Sequence, residues 1–351
     1  MLYEALHNTL SSYFRLQPIT LALLVTERCN AKCIMCNIWR EGISSGSELT
    51  LKQYEALFAH PFFDRISVAM ISGGEAYIRP DFVEIAQVLL DRLPRLHRIT
   101  ITTNGLGTDL ITSKTEEMLK RLQASPRTAR VRLGIQVSYD GISEVHDRIR
   151  GPDAHRKATR TLENLMVLRE RYPRLSLSAG CVIQPLNLRE IDAVARYLKQ
   201  NHIASIFPVV CEDPLFFKNE EASQIRFSEA QLEEAKNLLW NLSREEPHPG
   251  VKFLYRDLRN ILSGKPNSRG CPTLRDTITI EPNGNVVPCI NSRDRLLGNV
   301  QTDDLDDIWF SKCTRQTVRR INREKCKSCL FACGMSYKEV LKYTVLDGWE
   351  G

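Results

Sequence analysis

The sequence predicts an α/β protein: an open, partial barrel of six βα units, (β/α)6, followed by a small C-terminal domain built on a β-hairpin. Three observations carry this expectation. Between residues 19 and 242, six short runs rich in Val, Ile and Leu alternate with helical patterns. Near-continuous apolar runs are how parallel strands covered on both faces read. The alternation stops after residue 242, and Asn283-Gly284 then separates two further β-rich runs, a strong hairpin signal. Six units are too few for a closed eight-stranded barrel, so an open barrel is expected, with a doubly wound sheet as the alternative. Both place functional groups on loops at the C-terminal ends of the strands.

In chain order, residues 1–18 come first. Leu2, Leu6, Leu10 and Phe14 recur there at helical spacing, which predicts a short amphipathic helix. The strands are expected at 19–26, 66–72, 97–103, 131–138, 175–183 and 203–210, within a domain spanning 19–242. Thr50 with Gln53 and Ser228 with Gln231 read as capping boxes, and Asn187 with Glu190 as a further helix start. Pro80 suits a first helical position. Residues 243–270, with Pro247, Pro249, Gly250, Gly264, Pro266 and Gly270, read as a linker. The remainder, 271–351, forms the second domain, with strands at 277–281 and 286–290 and a helix at 304–310.

Composition narrows the function. The chain has 351 residues, 42% hydrophobic and 26% charged, which suits one large core plus a smaller domain. No apolar run approaches the roughly 20 residues that span a bilayer, and no secretory signal is visible at the start. The net charge of +6 is too mild for a nucleic-acid footprint. The basic run Arg319, Arg320, Arg323, Lys325 and Lys327 reads as a solvated face. Eleven cysteines, odd in number and clustered, argue for metal ligation in a reducing compartment, the cytoplasm, and against a disulfide framework.

Chemistry enters with Cys29, Cys33 and Cys36, three thiols within eight residues on the loop after the first strand. They can hold three irons of a [4Fe–4S] cluster and leave the fourth without a protein ligand; in metal sites an open position marks catalysis. Zinc is the alternative, although structural zinc wants a fourth ligand nearby. Ser72-Gly73-Gly74-Glu75 follows the second strand, where glycine lets a backbone approach closely and a carboxylate can accept from an ammonium group. Asn104 ends the third strand. Ser138, Asp140 and Gly141 end the fourth, with His146, Asp147 and Arg150 after them. As structural readings, Asp140-Gly141 is a turn, Arg150 a helix-end ion pair and Asn187 an N-cap.

The spacing Cys-x3-Cys-x2-Cys on the first βα loop, followed by Gly-Gly-Glu after the second strand, resembles the radical S-adenosylmethionine (SAM) superfamily. The resemblance implies that Cys29, Cys33 and Cys36 hold a cluster whose open iron chelates SAM. Reductive cleavage of SAM then yields a 5′-deoxyadenosyl radical. It further implies cofactor binding by Gly73, Gly74 and Glu75 at the SAM amino group, by Ser138 at its carboxylate or ribose, and by Asn104, Asp140, Arg150 and Asn187 around it. A flavodoxin- or ferredoxin-type electron donor is implied as well.

Cys271, Gly284, Cys289 and the late Cys326-x2-Cys329-x3-Cys333, set around the hairpin, resemble the SPASM/twitch extension of that superfamily, which carries auxiliary clusters. The pattern departs from the two-cluster form: the last gap is three residues and Tyr337 stands where a further cysteine would be. One auxiliary [4Fe–4S] cluster is therefore expected, held by Cys271 and Cys289 with two of Cys326, Cys329 and Cys333. Zinc is the alternative, since four thiolates suit it well. Cys181 and Cys313 read as packing residues, and Cys211, at the end of the sixth strand, as packing or as a hydrogen-atom donor.

A second redox centre gives a substrate electron somewhere to go. The expected reaction is therefore a two-electron oxidation, a dehydrogenase acting on a small polar molecule such as a sugar or cyclitol. A peptide-modifying maturase that crosslinks or epimerises is the rival. The 18 or so residues before the first strand leave little room for a leader-binding domain, which weighs against it. A radical epimerase using Cys211 is a third reading. From another class come a non-catalytic iron–sulfur protein and a zinc module.

Overall fold

The computed structural model describes residues 17–40, 45–128, 130–269, 271 and 275–331. The helix expected over 1–18 lies, but for its last two residues, outside the described residues, as does Cys333. The apolar runs pair in sequence order. β1 (Thr20–Thr26), β2 (Val68–Gly73), β3 (Arg98–Thr103), β4 (Arg132–Ser138), β5 (Leu175–Gly180) and β6 (Ala204–Ile206) are all parallel. β5 is shorter than the expected 175–183; beyond Gly180 only an isolated bridge, Ile183 to Val209, continues the pairing.

On the far edge, β7 (Thr277–Ile280) pairs parallel with β1, matching Thr20 to Thr277 and Leu23 to Ile280. β8 (Asn285–Val287) and β9 (Gly298–Asn299) follow antiparallel. The described strands thus form one open sheet, ordered β6-β5-β4-β3-β2-β1-β7-β8-β9. The hairpin does not stand apart from the barrel; it extends it. Its turn runs through Asn283-Gly284, where Gly284 has φ of +86°, a left-handed conformation that glycine adopts without a Cβ penalty.

Helices cover one face of the sheet. α1 (Leu51–Phe58), α2 (Phe82–Arg92), α3 (Thr108–Ala124), α5 (Ala154–Arg171), α6 (Ile191–Gln200) and α7 (Glu229–Glu245) join one core with Leu21, Leu23, Ile71, Ile101, Ile135 and Val137. The short α4 (Glu144–Arg150) precedes α5. Both capping boxes form, at Thr50/Gln53 and Ser228/Gln231. Asn187 makes no cap; its side chain turns inward instead. On the other face, at alternate positions, Thr100, Thr102, Gln136, Ser138 and Ser178 are half-buried and Met70 is exposed.

The stretch 243–270 contains a helix, α8 (Pro249–Leu262), which opens on Pro249 and buries Phe253, Leu254, Tyr255 and Leu258. α9 (Leu305–Phe310) and α10 (Lys312–Glu324) then lead to the last cysteines. Cys313, expected in the core, is exposed on α10. No helix of the described residues is long and apolar enough to cross a membrane.

Candidate active site

β1 delivers its loop to the C-terminal edge of the sheet, and backbone bonds fix it there. Ile34 N–H donates to the Ile149 carbonyl (3.0 Å), Asn37 N–H to the Phe217 carbonyl (2.7 Å), and the Asn219 amide to the Met35 carbonyl (2.9 Å). Cys33 is buried; Cys29 and Cys36 are half-buried. Burial pushes all three thiols up, Cys36 to about 12. Two side-chain donors face the sulfurs: Asn104 Nδ2 lies 3.6 Å from Cys29 Sγ, and Arg150 Nη1 3.6 Å from Cys33 Sγ; Ala31 N–H also donates to Cys29 Sγ (3.4 Å). Such donors favour thiolate and tune a cluster held by it. The three thiols feel one another's charge, and with their donors and strand-end position they are the donor set that would hold the [4Fe–4S] centre expected from the spacing.

The Gly-Gly-Glu turn supports this loop. A Cβ on Gly73 would lie 2.1 Å from the Thr26 carbonyl oxygen, and one on Gly74 2.1 Å from that of Arg28. Their bareness lets β2 close on the base of the cysteine loop, where Gly74 N–H donates to Thr26 (2.7 Å) and Glu75 N–H to Arg28 (2.8 Å). Glu75 is buried, and its carboxylate accepts from Thr103 Oγ1 (2.9 Å) and Asn104 N–H (2.7 Å). Burial raises its carboxyl to about 7. Glu75 therefore fixes Asn104, which in turn faces Cys29.

A second brace crosses β4 and β5. Asp140, fully buried, accepts from Arg150 Nε (2.5 Å) and Val182 N–H (2.6 Å), and its carbonyl accepts from Asn187 Nδ2 (2.8 Å). Burial works against the Arg150 charge, but Asp140 and Cys33 overcome it and hold the guanidinium firmly protonated. Ser138 is different. It is half-buried, and its hydroxyl has no hydrogen-bond partner among the described residues.

A second thiol set lies in the C-terminal part. Cys271, Cys289, Cys326 and Cys329 line one cavity, shared with Ile290, Ile321, Lys325 and Phe331. Cys326 hydrogen-bonds Cys271 and feels the charges of Cys289 and Cys329, all of which drive its thiol up. Burial pushes Cys289 to about 11. Of the late cysteines, Cys326 and Cys329 line this cavity, and Cys333 lies outside the described residues. Four converging thiols fit an auxiliary cluster.

Sequence reasoning missed what ties the sites down. Arg269 is buried against Asp257 of α8 (2.6 Å) and donates to the Cys329 carbonyl (2.9 Å) and the Phe331 carbonyl (3.2 Å). Arg293 pairs with both Glu27, two residues before Cys29, and Glu281, at the end of β7. Phe217, on the segment holding the first loop, stacks on Phe331 beside the second set (5.6 Å). Cys211 lies between the two. Its carbonyl accepts from Asn219 (3.0 Å), and burial, then Asp213 and Cys329, push its thiol to about 12. Glu212 turns outward to Arg226 (2.9 Å), and Asp213 spends a carboxylate oxygen on the Phe216 and Phe217 amides.

An open, mainly parallel sheet with a cysteine trio on the loop after its first strand and four further thiols lining a cavity in its C-terminal part suits a protein with two iron–sulfur sites. Residues 23–198 match the radical SAM superfamily, and residues 271–333 match SPASM, an iron–sulfur cluster-binding domain. The chain belongs to the radical SAM superfamily, which brings a [4Fe–4S] cluster and SAM as cofactors, and its SPASM domain brings auxiliary iron–sulfur binding. It is 26% identical to mycofactocin maturase MftC of Mycobacterium ulcerans over 323 residues, 89% of this chain and 80% of that protein. It is 28% identical to Fe-coproporphyrin III synthase of Methanosarcina barkeri over 213 residues, 60% of this chain but only 47% of that protein, so it spans about half of this relative. Among solved structures, native anSMEcpe with bound AdoMet superposes with a TM-score of 0.63, 17% identity and 93% and 97% of the two chains covered. Streptococcus suis SuiB bound to precursor peptide SuiA gives 0.60, 18% identity and 90% and 72% coverage. These two likenesses concern the fold alone.

Proposed function

We propose that this enzyme is a peptide-modifying maturase, the rival reading of the sequence, rather than a dehydrogenase of a small polar molecule. One observation carries the preference: the similarity to mycofactocin maturase runs over 89% of the chain, whereas that to the porphyrin enzyme covers 60%. A further relative, PqqA peptide cyclase of Bradyrhizobium diazoefficiens, is 30% identical over 50% of the chain. The expectation of a sugar or cyclitol substrate gains no comparable support.

In this reading Cys29, Cys33 and Cys36 hold three irons and Cys271, Cys289, Cys326 and Cys329 hold one auxiliary cluster. Cys29, Cys33 and Cys36 would hold the cluster that works with SAM, and together these cofactors would supply hydrogen-atom abstraction. The chain's residues position and shield. Asn104 and Arg150 donate to thiolate sulfur, Ser138 offers its unpartnered hydroxyl to SAM, and Gly73 and Gly74 keep the β2 turn close to the loop. Glu75, Asp140 and Asn187 hold the strand ends on which these groups sit. The protein's share is orientation and exclusion of water. Cys211 is buried enough to keep its S–H bond, as a hydrogen-atom donor in an epimerisation would require.

The test is anaerobic reconstitution, reduction and incubation with SAM and a panel of precursor peptides, alongside small polar alcohols. Peptide-dependent 5′-deoxyadenosine and a mass change in the peptide are expected. SAM cleavage stimulated only by the alcohols would return the dehydrogenase reading, and no cleavage at all would sink the radical one. A peptide mass unchanged in H2O but raised by a single deuteron in D2O, with that uptake lost in Cys211→Ala, would mark epimerisation.

A further inference from the structure

We infer that α10 and the turn after it form the docking surface for a small acidic electron-carrier protein that exchanges one electron with the auxiliary thiol site. Between residues 312 and 327 the chain carries seven Lys or Arg and one Glu, a net charge of +6. That equals the net charge of the entire protein, so the rest of the chain is neutral on balance. Arg320 is paired with Glu324 (2.8 Å) and Lys325 with Asp294 (3.1 Å). Lys312, Arg315, Arg319, Arg323 and Lys327 have no carboxylate within ion-pair distance among the described residues, and all but the half-buried Arg315 are exposed. Arg315, Arg319 and Arg323 recur every fourth residue and so share one stripe of the helix.

Position gives this charge its meaning. Ile321 and Lys325 line the same cavity as the four thiols, and Lys327 lies between Cys326 and Cys329. A protein seated on the C-terminal part of α10 is therefore next to the auxiliary site. Concentrated charge of one sign steers an oppositely charged partner and speeds encounter. Electron-transfer encounters use small interfaces, and one exposed helix with its turn is that scale. A nucleic acid is the poorer match: beyond this segment the net charge is zero, so the rest of the chain adds no net positive field to hold a phosphate backbone. In the exchange one electron leaves the auxiliary site and reduces the oxidised carrier by one. No bond forms or breaks in the protein.

The proposal rests on the auxiliary iron–sulfur assignment above, and its test separates the two. The probes are an acidic flavodoxin in its oxidised form and a 20-nucleotide single-stranded RNA, titrated calorimetrically into the reconstituted holoenzyme. For the wild type, flavodoxin Kd is expected to rise at least ten-fold between 50 and 500 mM salt; a flat response overturns the proposal. The triple variant Lys312→Glu, Arg319→Glu, Arg323→Glu should lose at least ten-fold in flavodoxin affinity. It should keep its iron content and its rate of SAM cleavage with dithionite, which bypasses docking. Lys312→Arg, Arg319→Lys, Arg323→Lys should bind as the wild type does. Unchanged flavodoxin affinity in the charge-reversal variant, or a loss confined to RNA binding, overturns the docking surface. Failure of dithionite-driven cleavage in the wild type would instead overturn the catalytic reading.

Discussion

Arg150 joins two facts that the sequence shows separately, a fully buried Asp140 and the Cys33 thiol. Removing one partner of a buried pair leaves an uncompensated charge, which costs about 3–5 kcal/mol. Arg150→Met should therefore lower the unfolding midpoint of the apoprotein markedly, as read by circular dichroism, while Arg150→Lys should recover only part because it lacks the planar fork. His146 offers a pH readout. Its Nδ1 accepts from Asp140 N–H, and burial holds the imidazole down, to about 4 from its usual 6.5. Between these values the unfolded chain binds the extra proton, so stability rises with pH across the window, by about 3 kcal/mol in all. Urea midpoints of the wild type should climb from pH 4 to 6.5, and His146→Gln should flatten that slope. At this scale the cysteines were legible because ligand spacing is local. Gly73 and Gly74 were half-legible: the sequence announces that something approaches closely, but not that it is the carbonyl of Thr26 or Arg28.

Among elements, all six barrel strands were readable because each carries aliphatic residues, many of them β-branched, on the face that the helices cover, while Thr100, Thr102 and Gln136 on the other face did not break the pattern. α8 was hidden by its own punctuation. Pro249-Gly250 at its start and Gly264 past its end look like linker signals, yet Pro is tolerated at a first turn and Gly just beyond a last one. Ile280, fully buried on β7, sits where the hairpin meets the barrel and pairs with Leu23. Ile280→Ala should cost about 2–5 kcal/mol, and one cooperative transition should shift, not two. Gly74→Ala should act differently. By forcing β2 away from Arg28, it should cut the iron retained by the first loop after reconstitution, measured against unaltered iron at the auxiliary set.

At the scale of the whole molecule the two thiol sites are one construction. Arg293 ties Glu27, beside the first cysteine loop, to Glu281 at the end of β7, and the partners in the first of these pairs are 266 residues apart. No periodicity or spacing exposes a contact of that range, which is why this tie and the Arg269–Asp257 pair stayed invisible in the sequence. Arg293→Met should leave two adjacent buried carboxylates without their shared cation. A destabilisation of about 3–5 kcal/mol is expected, read as a lowered urea midpoint. The pairing of β7 with β1 also sets an order of events during synthesis. β1 is among the first strands made, and its second edge waits some 250 residues for Thr277–Ile280 to arrive. Contacts this distant in sequence form late and slowly. Until then the ribosome-bound chain presents Thr20–Thr26 as an apolar, unpaired edge, the kind of surface that recruits other strands. A segment translated some 250 residues later is thus also the cap that protects β1, and nascent chains stalled before residue 277 should depend on chaperones to stay in solution.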